Sequence, residues 1–373
     1  MPDLNQLLQT KLQQRKNENS FRVLSNKEHL IDFSSNDYLG LARSGDLFEL
    51  INKKIDSLPH RNGSSGSRLL SGNSTYTEEV ENKLAKIFNA EAALIFNSGY
   101  TANQAVLSCI PQRGDTILYD KLAHACIRDG SRLSLANQHS FEHNNLPDLE
   151  KKLSQTTGNV FVVVESIYSM DGDESPLGEI VTLAKKYSAL LMIDEAHSTG
   201  VIGSKGSGFA VSKQLQSEIG IRVYTFGKAM GCHGACVVGS KELIEYLINF
   251  ARPFIFTTAL APHSIAAIDC AFQYLENNIH LQEELNKKIK LFTSLNINSR
   301  NTIRSNSQIQ SIIIPGNENV RNAAEKIQAR GFDVRPILSP TVPQGSERLR
   351  ICLHTFNSDE EIKQLVTEIS NLA

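Results

Sequence analysis

Five short apolar runs, each followed by polar residues and most of them separated by helix-length stretches, set the terms on which this chain can fold. They read "AALIF", "DTILYD", "VFVVVES", "LLMIDEA" and "RVYTFG", beginning at Ala92, Asp115, Val160, Leu190 and Arg222. Strands that are apolar on both faces belong inside a sheet covered on both sides, and alternation with helices makes that sheet mostly parallel. Helical stretches such as "LGEIVTLAKKYSA" fit the crossovers, so the fold class is α/β.

Length and punctuation divide the chain. At 373 residues, with 40% hydrophobic and 21% charged side chains, it can bury a large core and more than one lobe. Leu4, Leu7, Leu8 and Leu12 share one face of an N-terminal amphipathic helix, which lacks the continuous apolar segment of a signal peptide. After it, "HLIDFSSNDYLGLA" reads as a short strand and a loop, and "GDLFELINKKIDSL" as a helix. Ser74 or Thr75 marks the N-cap of a helix running through Ile87. Beyond about residue 280, "SQIQSIIIPG", "NVRNAAEKIQARG" and "ERLRICLHTFNS" give strand, helix and strand, closed by an amphipathic helix. The expected domains are an N-terminal helix and arm over 1–45, a large domain over 46–280 and a small α+β domain over 281–373.

Several function classes recede on composition. A formal charge of -2 offers no basic field for nucleic acid. No stretch reaches the roughly 20 apolar residues of a membrane span. The cysteines at 109, 126, 232, 236, 270 and 352 are scattered, which suggests neither a disulfide framework nor a zinc site; Cys232, Cys236 and His233 are expected to pack, no metal is expected, and a reduced cytoplasmic protein is the simplest reading.

In a parallel sheet, ligands bind beyond the carboxyl ends of the strands. Here those positions carry Glu165, Ser166 and Ser169 after one run, Asp194, Glu195 and His197 after another, and Lys228 after a third. Behind "AALIF" comes "NSGYTANQ", a Ser-Gly turn opening a helix whose N–H groups and dipole suit a phosphate. Singly, each has an ordinary explanation: Asp194 as a helix cap, His197 as a core histidine, His124 as a surface residue, Lys228 as a solvated charge in the glycine-rich turn "TFGKAMG". Together they form the set that pyridoxal phosphate requires: an aldehyde-trapping amine, a carboxylate for the pyridine nitrogen, a phosphate cradle and histidines.

The segments "SSNDYLGL", "GSRLLSG", "FNSGYTANQ", "ESIYSMDGD", "MIDEAHSTGVIG", "TFGKAMG" and "SPTVPQGSERLR" make the chain resemble the α-oxoamine synthases from about Arg22 to His354. The resemblance implies a fold-type I pyridoxal-phosphate transferase, with a mostly parallel seven-stranded sheet, working as a homodimer with shared active sites. It implies that Lys228 holds the cofactor as a Schiff base and later moves the substrate Cα proton, that Asp194 pairs with the pyridine nitrogen, that His197 with Ser169 beside it bonds the phenolic oxygen, and that His124 stacks on the ring. Gly99, Tyr100 and Thr225 would contact the phosphate or its surroundings, with Thr257 and Thr258 reaching it from the partner subunit. Arg350 would clamp the amino-acid carboxylate, with Arg22, Asn36 and Thr341 as further substrate contacts. The implied reaction is a decarboxylative condensation of an amino acid with an acyl-CoA, read first as L-alanine with pimeloyl-CoA in biotin synthesis. The alternatives are glycine with acetyl- or succinyl-CoA, serine with a long-chain acyl-CoA, or a silent cofactor-binding scaffold. "DVRPIL" before "SPTVP", and "GCHGA" after the lysine, depart from the family pattern and leave the part played by Arg335 open.

Overall fold

The structure, a computed structural model, describes residues 3–295 and 302–372. The described chain forms two compact units. One takes residues from Met1–Asn36, Met170–Asp173 and Glu284–Ala373, the other from Asp37–Ser169 and Glu174–Glu283.

Strands in chain order are β1 (Ile31–Asp32), β2 (Ala92–Phe96), β3 (Thr116–Asp120), β4 (Asn137–Phe141), β5 (Val160–Glu165), β6 (Leu190–Asp194), β7 (Ile221–Thr225), β8 (Ala235–Gly239), β9 (Thr302–Ile303), β10 (Ile309–Ile313), β11 (Phe332–Asp333), β12 (Arg335–Ile337) and β13 (Arg348–Cys352). In the larger unit seven of them form one sheet in the order β2-β8-β7-β6-β5-β3-β4. β7, β6, β5, β3 and β4 pair in parallel; β8 runs antiparallel to both its neighbours.

Each of the five apolar runs carries one of these strands, with β7 starting one residue before its run, at Ile221. In β5 every residue is buried, and successive side chains are shared between the two faces. Phe161 and Val163 join Leu94, Met192 and Val223 in one core, while Val162 and Val164 join Leu191 and Ile193 in the other. Each fully buried aliphatic side chain contributes about 1.5–3 kcal/mol, which makes the middle of the sheet a rigid platform. Two strands lie outside the five runs. β4, "NQHSF", is a largely polar edge strand, and β8, "ACVVG", returns after the glycine-rich turn that carries Lys228.

In the smaller unit β12-β13-β10-β9 make an antiparallel sheet, and β1 pairs in parallel with β11. Residue 32 of the N-terminal arm thereby lies beside residue 333. The N-terminal helix forms over Leu4–Asn17, and none of its residues is buried. Ser74 caps the helix Thr75–Ile87 by accepting the N–H of Thr77. Among the described residues no helix is long and apolar enough to cross a membrane.

Candidate active site

The site begins where β5 and β6 end. Glu165 and Asp194 are cross-strand partners at the carboxyl ends of adjacent parallel strands, so both carboxylates project on the same side of the sheet. Asp194 is fixed from two directions: Oδ1 accepts the N–H of Ala196 at 2.9 Å, and Oδ2 accepts Asn103 Nδ2 at 2.8 Å. Glu195, one residue on, takes the other direction of the alternation. Its buried carboxylate accepts the N–H groups of Phe209 and Ala210 and serves the local chain path.

Lys228 lies in the loop joining β7 to β8. That loop is closed by Phe226 N–H to Gly234 O, Cys232 N–H to Phe226 O and Gly231 N–H to Lys228 O, each at 2.9 Å. Gly231 has φ +64, and a Cβ there would strike the backbone of Leu41 and Ala42. A left-handed turn and a close chain approach both require glycine at this position. Beside it Cys232 and Cys236 are buried, but His233 is exposed, which corrects the expectation that all three pack: the turn directs the ring outward.

The lysine amine lies 2.8 Å from His197 Nε2, and His197 Nδ1 lies 2.8 Å from the Tyr38 hydroxyl. An ammonium only donates, so Nε2 accepts and Nδ1 carries the proton that it gives to Tyr38. His124 is the N-cap of the helix Ala125–Leu133. Its Nδ1 takes the N–H of Cys126 at 3.2 Å with Cys126 Sγ at 2.9 Å, and its own backbone N–H goes to Glu165 Oε1 at 2.5 Å. Burial lowers the pKa of His124, with Lys228 adding to that effect and Asp194 opposing it. The Cys126 thiol is raised by burial and by Asp194 and Glu165, which keeps it neutral. Glu165 is pushed up to about 8, chiefly by burial and next by Asp194, against the pull of Lys228 and of the His124 N–H.

Gly99 opens the helix Gly99–Cys109, whose N-cap Ser98 accepts the N–H of Thr101. A Cβ on Gly99 would collide with Thr225 Oγ1. Thr225 Oγ1 is itself buried and unpartnered among the described residues. The N–H groups of the first helical turn, the gap left by glycine and the orphan hydroxyl are what suit a phosphate. With Lys228 to trap an aldehyde and Asp194 to hold a protonated pyridine, these residues fit pyridoxal phosphate.

The other predicted positions are distributed as follows. Tyr100 is partly exposed, donates to Asp129 and sets its ring edge-on to His124 at 6.4 Å. Ser169 is buried. Thr257 Oγ1 and the Thr258 carbonyl accept from Asn97 Nδ2 of the same chain, at 3.5 and 3.0 Å. The substrate candidates belong to the smaller unit and form two pairs there: Arg350 donates to Asn36 Oδ1, and Arg22 to Thr341 Oγ1, each at 3.0 Å. Arg335 is engaged by Asp333, at 2.6 Å, and by Ser25.

Tyr38, Asn103 and Cys126 were not among the expected site residues, and Glu165 was expected only as a polar strand-end position. Asn103 had a legible signal, a polar residue on a helix face otherwise made of Ala102, Ala105 and Val106, all buried. Glu165 had another, as a carboxylate directly after five apolar residues.

Residues 28–369 match the model of the aminotransferase class I and II family. The chain belongs to this family. It is 40% identical to the 8-amino-7-oxononanoate synthase of Emericella nidulans over 91% of its own length and 88% of that protein. A solved structure of SPT with PLP as an internal aldimine superposes with a TM-score of 0.90 at 25% identity, covering 100% of this chain and 98% of that one. The 8-amino-7-oxononanoate synthase of Francisella tularensis gives 0.79 at 30% identity, with 92% and 98% covered. The family and the fold make this chain a fold-type I, pyridoxal-phosphate-dependent acyltransferase.

Proposed function

We propose that the chain condenses L-alanine with pimeloyl-CoA, or another pimeloyl thioester, to give 8-amino-7-oxononanoate, CoA and carbon dioxide in biotin synthesis, acting as a cytoplasmic homodimer with shared active sites. The observation that carries the reading is the placing of Lys228, in contact with His197, and of Asp194, held by Asn103, beyond the strand ends of one buried sheet. The relatives named 8-amino-7-oxononanoate synthase support the choice of substrates.

Bound pyridoxal phosphate supplies an electron sink for the amino-acid Cα. The chain's own residues do the rest. Asp194 would pair with the ring nitrogen, and the Asn103 and Ala196 donors hold that carboxylate in place. Lys228 would anchor the cofactor and would carry the Cα proton on Nζ. His197 orients the amine through Nε2, and Tyr38 fixes its tautomer. Ser98, Gly99 and Thr225 would hold the phosphate. Thr257 and Thr258 would serve the phosphate of the adjoining subunit, His124 would lie on the ring face, and Ser169 would sit beside the phenolic oxygen. Arg350 with Asn36, and Arg22 with Thr341, would take the substrate, because a planar guanidinium matches a carboxylate in two parallel hydrogen bonds.

The likeness to SPT gives the serine and long-chain acyl reading a structural basis of its own. Release of CoA thiol separates the two. The cofactor-loaded protein is given L-alanine with pimeloyl-CoA, beside glycine or serine with acetyl-, succinyl- and palmitoyl-CoA. Release with the first pair alone is expected. Release with another pair reassigns the substrates, and no release with any pair refutes the enzyme reading.

A further inference from the structure

The smaller unit contains a buried histidine that the reaction as read above does not use. His354 lies two residues past the end of β13 and is 0% exposed, with its ring stacked on Phe356 at 4.5 Å and 9°. Asn357 Oδ1 accepts the backbone N–H of His354 at 3.0 Å, while Asn357 Nδ2 donates to the carbonyl of Asp32 at 3.0 Å. Those two backbone partners fix which end of the amide faces the ring. The atom 2.9 Å from His354 Nδ1 is therefore an acceptor, and Nδ1 carries a proton. On the other side, Nε2 lies 3.0 Å from the carbonyl oxygen of Ser35, with the Ser35 hydroxyl at 3.2 Å. A carbonyl cannot donate, so Nε2 also carries a proton. An imidazole with both nitrogens protonated is a cation.

The surroundings supply its counter-charge. Asp32 Oδ1 accepts the N–H groups of Ser34 and Ser35 at 3.0 and 2.9 Å. Burial pushes Asp32 up, but the Ser35 and Ser34 donors and the charge of His354 outweigh it and bring the carboxyl to about 2. Beside Asp32, Asp333 on β11 accepts the Ser34 hydroxyl and pairs with Arg335 on β12. On β13 the nearby groups are Arg350 and the Cys352 thiol, to which Arg350 donates at 3.0 Å. The segment Asp32–Asn36 is thus tied to Asn357 and His354 at Asp32 and Ser35, and to Arg350 at Asn36.

We propose that His354, held as an imidazolium between Asn357 and Ser35, is a positioning residue for substrate. It fixes the Ser35–Asn36 segment so that Asn36 holds the Arg350 guanidinium in the orientation that receives the amino-acid carboxylate. The proposal rests on the reading of Arg350 as the carboxylate site.

The test measures the Kd of L-alanine for the holoenzyme, from the change in cofactor absorbance without acyl-CoA, and then KM and kcat with pimeloyl-CoA. For His354→Gln the alanine Kd and KM should rise about tenfold, as for one lost charge-assisted hydrogen bond, with kcat changed by less than about twofold and cofactor retention unchanged. An unchanged Kd, or a fall confined to kcat or to cofactor retention, overturns the proposal. Arg350→Lys is measured alongside. If it leaves the Kd for alanine, glycine and serine unaltered, the Arg350 reading has failed; if it weakens binding and His354→Gln does not, only the role of His354 has failed. Should His354→Gln not fold, Asn357→Asp and Asn357→Leu decide. Aspartate keeps the acceptor facing Nδ1 but loses the donor to the Asp32 carbonyl, and leucine loses both, so leucine should raise the Kd further than aspartate; equal effects from both overturn the proposal.

Discussion

The strand-end cluster of the larger unit and the arginine pairs of the smaller one are built in opposite ways. Lys228, Asp194 and Glu165 each stand at or just past the end of a buried strand, so the sheet that forms the core also aims the chemistry. Arg350 and Asn36 are 314 residues apart, and Arg22 and Thr341 are 319 apart. They meet only because β1 joins β11 and the N-terminal arm lies along β13. On the proposed reading, the first arrangement places reacting groups on rigid elements, and the second places binding groups on a segment that tertiary contacts must hold. Variants in the cluster should therefore lower kcat, and variants in the arm should raise KM.

The largest effect belongs to Lys228→Ala. On the proposed reading it removes both the amine that traps the cofactor and the carrier of the Cα proton, so turnover should fall by at least about 10³-fold. Thiol release measures it, and borohydride should no longer fix cofactor to the chain. A variant retaining more than a small fraction of activity would end the assignment.

Asp194→Ala comes next. Cofactor should remain bound through Lys228 and the Ser98–Gly99 turn, but loss of the charge beside the pyridine nitrogen should slow exchange of the alanine Cα proton by about 10²–10³-fold. Exchange into deuterated water reads this step without acyl-CoA. A normal exchange rate would contradict the sink role while leaving the lysine assignment intact. Against these two, the tenfold shift in alanine affinity expected for His354→Gln marks the difference between chemistry and binding.

Legibility follows the same division. Runs such as "VFVVV" announce buried strands because both faces must be apolar, and the polar residue after each run announces the site. The polar edge strand β4 gives no such signal. Nor do the contacts that hold the site groups in place: Asn103 reaches Asp194 across 91 residues, and Tyr38 reaches His197 across 159. A sequence shows that Asp194 is polar in an apolar setting, and only the fold shows which donors hold it. The arm is harder still, because "SSNDYLGL" and "RLRICLH" carry no local sign that they meet.

Glu165 gives the smallest effect and tests whether the cluster is as dry as its geometry implies. The groups facing it are Asp194, Lys228, the His124 N–H and, farther along the sheet, Asp120. Burial and the neighbouring carboxylates raise it from 4.5 to about 8, so in that interval the folded protein holds a proton that the unfolded chain has released. Stability then falls as pH rises, by at most about 1.4 kcal/mol per unit, and the cost is complete above the folded pKa. Glu165→Gln keeps an oxygen for the His124 N–H and has no proton to lose. Urea midpoints of the cofactor-free protein between about pH 5 and about pH 8 should decline for the wild type and stay flatter for the variant. Parallel profiles would mean that Glu165 ionises as it does in water, that the cluster is wet, and that the parallel strand ends do not enclose their carboxylates as tightly as the registers suggest.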